Sequence, residues 1–178
     1  MKLRLKFSSA SPNYIYGIYD GDGSGFNLTG PAGSDLIEYT FEDYYKGAGL
    51  KSVPTAFTGR SDYGPFLEVN IPSGGLFTGA EGIKTLEEAA MFGGKAGEPY
   101  DVNYHQPGDF TKNCNIGAWI VNTKVIASII AKYGRSTGGF PVRKLINGGK
   151  RVKREDWSHG THGHNHDHSE GGCGDGLY

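Results

Sequence analysis

The sequence predicts an α/β domain with helices packed on a central sheet, and three observations carry that reading. Residues 14–19, Tyr-Ile-Tyr-Gly-Ile-Tyr, are rich in the aromatic and β-branched side chains that suit strands. Segments of this kind alternate with helix-patterned ones along the body of the chain. Between Ile116 and Tyr133, apolar side chains recur at Ile116, Trp119, Ile120, Val125 or Ile126, Ile129, Ile130 and Tyr133, close to the i, i+3, i+4, i+7 stripe of an amphipathic helix.

In chain order, the strand over residues 14–19 runs into Asp20-Gly21-Asp22-Gly23-Ser24-Gly25. That loop imitates the start of an EF-hand, with Asp20, Asp22 and Ser24 at alternate positions, but its twelfth position is Pro31 where a bidentate Glu belongs, which favours a glycine-rich turn over a calcium site. Ser34 is placed to cap a helix over residues 34–46 with Leu36, Ile37, Phe41, Tyr44 and Tyr45 at helical spacing, stopped by Gly47. A second strand is expected over residues 51–57, then a polar turn and a short helix near Phe66. Residues 70–79 read as a short buried strand leaving through glycines. Thr85 and Glu88 form a capping box ahead of a helix over residues 86–92, which Gly93-Gly94 ends. The long helix over residues 116–133 has its natural stop at Gly134. With strands alternating with helices, the loops holding Asp20, Arg60, Phe77 and His105 are expected at strand ends, where open sheets place their clefts.

Composition narrows the partners. The chain has 178 residues, enough for one domain with a real core. Lys plus Arg at 18 against Asp plus Glu at 19 leaves no bulk charge to favour nucleic acid or an anionic membrane. No apolar run of about 18 residues is present, so no membrane span is expected. Residues 1–7, Met-Lys-Leu-Arg-Leu-Lys-Phe, alternate apolar and basic side chains like a strand rather than a signal peptide. The two cysteines, Cys114 and Cys173, are read as free, since a bridge between them would staple only a flexible end to the body. Asn27-Leu28-Thr29 is a glycosylation acceptor if the protein is secreted.

From about Ser136 the character changes. Lys150, Arg151, Lys153 and Arg154 cluster, and His159, His162, His164, His166 and His168 follow within ten residues. Imidazoles at such spacing can converge on zinc, copper or nickel, or they belong to a disordered, low-complexity end that binds metal adventitiously. The division expected is an atypical segment over residues 1–9, a body over residues 10–135 and this tail over residues 136–178. His105 is the one histidine outside the tail. In its setting, Tyr100-Asp101-Val102-Asn103-Tyr104-His105-Gln106-Pro107-Gly108-Asp109, a phenol, a turn and several carboxylates surround it, as in a catalytic loop and also in many ordinary ones.

Four ordered blocks make the body recognisable: Gly59-Arg60-Ser61-Asp62, Pro72-Ser73-Gly74-Gly75-Leu76-Phe77-Thr78-Gly79-Ala80, Phe92-Gly93-Gly94-Lys95-Ala96-Gly97 and Tyr100-Asp101-Val102-Asn103-Tyr104-His105. Together with Ala10-Ser11-Pro12-Asn13-Tyr14, they resemble the C-terminal half of the secreted zinc aminopeptidases of the leucine aminopeptidase type, the co-catalytic metallopeptidases of family twenty-eight, and the fungal enzymes above all. The resemblance covers residues 10–133. It implies the C-terminal part of a three-layer α/β/α zinc-exopeptidase fold followed by a disordered tail, an extracellular setting, and a peptide N-terminus as the partner. In such enzymes two zinc ions share an aspartate and a water, polarise the scissile carbonyl and lower the pKa of the water, while a glutamate acts as general base. By resemblance His105 is a zinc ligand, Tyr104 the phenol that stabilises the oxyanion, Arg60 a residue of the substrate cleft, and Phe77 part of the apolar pocket for the first side chain.

The departures matter as much. The other ligands and the base belong, in that family, to segments upstream of Ser11-Pro12-Asn13. Phe7 falls where a ligand aspartate is expected, and no Asp, Glu or His precedes Asp20. The expectation is therefore an aminopeptidase-like chain, truncated and inactive alone. The alternative is a non-enzymatic pseudoenzyme that binds peptide, or binds metal through its histidine tail. A sheet without upstream strands is also expected to self-associate through its exposed edge.

Overall fold

The computed structural model describes residues 13–141. The expected strand over residues 1–7, the basic cluster, Cys173 and the tail histidines at 159, 162, 164, 166 and 168 lie outside the described residues. Helices and a small mixed sheet give the α/β class that the pattern predicts.

Three short strands form the sheet in the order β2-β1-β3: β1 is Gly17–Tyr19, β2 is Val53–Thr55 and β3 is Leu76–Phe77. β1 runs parallel to β2, with Gly17 beside Val53, and antiparallel to β3, with Gly17 beside Phe77. All three are shorter than the sequence suggests. Pro54 has no N–H to give to a ladder. Pro72, Gly74 and Gly75 delay β3 until Leu76, and Gly74 is pressed so closely on Ile37 that a side chain there would collide with it. Pairing still reaches past β1, since the Val53 N–H donates to the Tyr16 carbonyl at 3.0 Å.

The helices are α1 (Ser34–Gly47), α2 (Gly64–Glu68), α3 (Leu86–Phe92) and α4 (Ile116–Arg135). α3 starts on the expected capping box, with Thr85 Oγ1 accepting the Glu88 N–H and the Glu88 carboxylate accepting the Thr85 N–H. Ser34 is not the cap of α1. Gly33 occupies that position with a left-handed φ of 99°, and Ser34 sits inside the helix, where its Oγ accepts the Ser73 N–H at 3.1 Å. The hydroxyl that would have capped the helix instead ties it to the approach of β3. α4 likewise continues through Gly134 to Arg135, because that glycine keeps helical dihedrals instead of the left-handed ones of a stop.

Alternation along β1 divides the interior into two. Tyr16, Ile18 and Leu76 face one way and pack on Ile37, Phe41 and Tyr45 of α1 and on Ala118, Val125, Ile126, Ile129 and Tyr133 of α4. Tyr19 faces the other way and joins Phe57, Tyr63, Leu67 and Phe77 in an aromatic cluster. The buried face of α4 is thus rotated from the stripe read in sequence. It uses Ala118 and Asn122, and leaves Ile116, Ile120 and Ile130 about half exposed. Asn122 belongs there because its Oδ1 accepts the Tyr45 hydroxyl at 2.8 Å in the interior.

Candidate functional site

The aromatic cluster forms the floor of the site. Tyr19 stacks on Phe57 with ring centroids 5.2 Å apart and meets Tyr63 edge-on at 4.6 Å, while Phe77 lies 6.1 Å from Tyr19. The Tyr63 hydroxyl accepts the N–H groups of Thr58 and Gly59, at 3.0 and 3.1 Å, and so fixes the loop that carries Arg60. Arg60, exposed at the tip, forms an ion pair with Glu81.

Glu81 is held by a turn that sequence reading had passed over. Gly79 and Ala80 both take positive φ, 111° and 50°, and the Gly82 N–H closes the turn on the Gly79 carbonyl at 3.1 Å. The Tyr100 ring lies so close against Gly79 that no side chain fits there. Two main-chain hydrogen bonds of 2.8 Å, from Tyr100 to Gly82 and from Asp101 to Ala80, staple this turn to the segment leading into Tyr104. Buried Asp101 then shapes the next turn. Its carboxylate accepts the Asn103 N–H at 2.9 Å and its carbonyl the Tyr104 N–H at 3.2 Å. His105 follows with a left-handed φ of 55°, its N–H donating to the Asp109 carboxylate at 3.3 Å. The Tyr104 and His105 rings lie 4.2 Å apart.

Electrostatics couples these groups. Burial pushes the Glu81 carboxyl up, but its own backbone N–H, Arg60 and the His105 imidazole together bring it below the ordinary range. Burial raises the Tyr104 phenol and Glu81 raises it further, while Arg60 opposes them. Tyr104 is therefore a neutral O–H donor at physiological pH. Arg60 also acts on Tyr19. Its charge reaches both the aromatic floor and the Tyr104–His105 pair.

Of the residues singled out in the sequence, Arg60 and His105 both act on Glu81, Arg60 and Tyr104 both act on Tyr19, and Phe77 packs on the Tyr19 ring. The expectation that they gather with Asp20 at strand ends needs correction. β3 is antiparallel, so Phe77 lies beside Gly17 at the start of β1, while Asp20 leaves from its end. The site is assembled over the aromatic face of the sheet, and Glu81 is the member that was missed. Its only signal was a charge set among small turn residues, Gly79-Ala80-Glu81-Gly82.

The donors among the described residues do not make a zinc centre at His105. Zinc needs at least three protein donors, and among the described residues no Cys, Asp or Glu completes a trio with this imidazole. Among the described residues the one trio close enough to hold a cation is Asp20, Asp22 and Glu38, away from His105 in the chain and contributed partly by α1. Its oxygens serve the main chain and, at Asp22, also the Tyr39 hydroxyl, which donates at 2.9 Å. Asp20 accepts the N–H groups of Gly23, Gly25 and Phe26, Asp22 accepts that of Ser24, and Glu38 accepts those of Gly21 and Asp22. That is the geometry of the glycine-rich turn. Asn27 stands exposed in the same loop, and Cys114 is a free thiol.

Comparison with known proteins shows the family. Residues 10–130 match the profile of peptidase family M28. Leucine aminopeptidase 2 of Trichophyton rubrum is 53% identical over 159 residues, which are 89% of this chain and 32% of that protein. The Arthroderma otae leucine aminopeptidase 2 is 55% identical over 144 residues, 80% of this chain and 29% of its own. The probable leucine aminopeptidase 2 of Aspergillus fumigatus is 51% identical over 156 residues, 87% and 31% respectively. The chain spans about a third of the length of these curated relatives. With its family profile matched from Ala10 to Ile130, across the whole site, the chain belongs to peptidase family M28.

Proposed function

We propose that this chain carries the substrate-facing part of an aminopeptidase site, one that removes N-terminal residues from peptides. The observation that carries the reading is the Tyr104–His105 pair within electrostatic reach of the aromatic floor at Tyr19. The floor, Phe77 included, receives the first side chain through apolar burial. The Tyr104 hydroxyl, protonated in its half-buried setting, donates to the carbonyl of the first peptide bond. His105 offers one imidazole toward zinc. No donors among the described residues complete a zinc site at His105, and our reading is of a chain that binds an N-terminal residue without cleaving the bond after it. An extracellular setting suits this role, with exposed Asn27 as a glycan acceptor.

Incubating the chain with zinc and leucyl p-nitroanilide, while titrating leucinamide by NMR, tests the reading. No anilide release is expected, with leucinamide shifting the resonances of Tyr104 and Phe77. Robust turnover with two zinc ions bound by the body would refute the non-cleaving part. Absence of any leucinamide response would refute the peptide site. A second reading, a metal-binding chain, is favoured by the five imidazoles within residues 159–168.

A further inference from the structure

Ala80 and His105 both take left-handed backbone, at φ 50° and 55°, and the segments that carry them are joined through one residue, Tyr100. Backbone of this kind is strained in residues other than glycine and persists only where its surroundings over-determine it. Tyr100 supplies much of that constraint. Its ring is pressed on the turn so tightly that a side chain at Gly79 would overlap it and one at Gly82 would crowd it. Its N–H donates to the Gly82 carbonyl, and that of Asp101 to the Ala80 carbonyl, both at 2.8 Å. Its hydroxyl donates to the Glu88 carboxylate at 2.6 Å, through the same oxygen that accepts the Thr85 N–H at the start of α3. The buried ring is thus clamped between the turn, its own backbone and a helix cap.

We infer that Tyr100 is a positioning residue, whose clamp sets the Tyr104–His105 pair in register with Phe77 so that a bound N-terminal residue meets both. The inference rests on the peptide-site reading above and adds the residue that fixes the spacing of its two halves. Phe77 lies two residues before Gly79 in the chain. Tyr104 hangs from Asp101, to whose carbonyl its N–H donates at 3.2 Å. Both halves therefore leave the clamp over short lengths of chain, one back into β3 and the other forward into the His105 turn. Packing alone would need only an apolar ring at this position. The hydroxyl adds a direction, drawing the ring toward α3, and burial together with the Glu88 carboxylate keeps the phenol protonated as a donor. A ring released from Glu88 is free to tilt, and the Gly79–Ala80 turn and the Asp101 turn move with it, because main-chain hydrogen bonds from Tyr100 and Asp101 hold them together.

The test is an NMR titration of leucinamide into the full 178-residue chain, with urea unfolding of each variant alongside. Tyr100→Phe keeps the ring and removes its bond to Glu88. It should weaken leucinamide roughly fivefold, part of what one hydrogen bond to a charged group is worth, and shift the Phe77 and Tyr104 resonances of the free chain. Glu88→Ala removes the same bond from its other end and should weaken leucinamide alike. Glu88→Gln, which keeps an oxygen for the hydroxyl, should retain most of the affinity. Tyr45→Phe is the control for stability, since it strands the Asn122 oxygen in the core without touching the clamp, and its leucinamide affinity should stay unchanged. Unchanged affinity in Tyr100→Phe and Glu88→Ala would overturn the inference while leaving the peptide site intact. An equal loss in Tyr45→Phe for an equal drop in urea midpoint would do the same, because affinity would then merely follow stability. Failure of the unaltered chain to bind leucinamide would overturn the peptide site, and the inference with it.

Discussion

The ammonium of Lys84 lies 2.8 Å from the carbonyl oxygen of Tyr14 and 3.1 Å from that of Asn13, in a position almost closed to solvent. It also sits over the rings of Tyr14 and Phe92, at 5.9 and 5.7 Å. One side chain thereby joins the entry of β1 to α3 and to the segment that supports the Glu81 turn. Burial lowers its pKa, opposed by the Glu88 carboxylate. Lys84→Met keeps the stem but removes the donor that two buried carbonyls share, and should cost roughly 2 kcal/mol. Urea unfolding measures this, and an unchanged midpoint would show that the latch carries no energy.

A second buried contact joins the two large helices. Tyr45→Phe leaves the Asn122 oxygen inside the core with no hydroxyl to accept from, at an expected cost of about 1–3 kcal/mol. Adding Asn122→Leu removes the stranded group and should recover part of that loss. The double-mutant cycle decides, and strict additivity of the two changes would mean the bond contributes nothing.

The Asp20–Asp22–Glu38 cluster makes stability depend on pH. Burial raises the Glu38 carboxyl from 4.5 to about 7, against the opposing pull of the Asp22 and Gly21 N–H groups, and the neighbouring aspartates raise it further. Between those values the folded chain holds a proton that the unfolded chain has lost, so stability falls as pH rises from about 4.5 through 7. Glu38→Gln keeps an oxygen for both N–H groups and carries no charge. Its melting temperature should be flat over that window while the unaltered chain's declines, and parallel curves would reject Glu38 as the source.

Metal binding separates the two parts of the chain. His105 has no donor trio among the described residues, whereas five histidines crowd residues 159–168. Zinc affinity measured by calorimetry should therefore disappear on deleting residues 155–178 and stay unchanged in His105→Ala. The reverse pattern would give the metal to the body.

Local pattern was enough for much of this. The Thr85–Glu88 box, the long α4 and the strand-forming aromatics of β1 are decided by residues close together in sequence, through capping, helical period and side-chain shape. The ordered blocks likewise marked Arg60, Phe77, Tyr104 and His105 as belonging together. What sequence could not decide were choices made by distant partners. Ser34 left its cap because Ser73 offered an N–H, Asn122 entered the core because Tyr45 brought a hydroxyl, and α4 turned a different face inward to receive it. Glu81 became part of the site because a left-handed turn, pinned by Tyr100 and Asp101, aimed it at Arg60 on another loop. The sequence by itself determined the elements and the family, because both are written in short-range pattern. Only the tertiary structure decided which polar side chains are satisfied and by whom, because a hydrogen bond or ion pair depends on positions in space that separation along the chain does not encode.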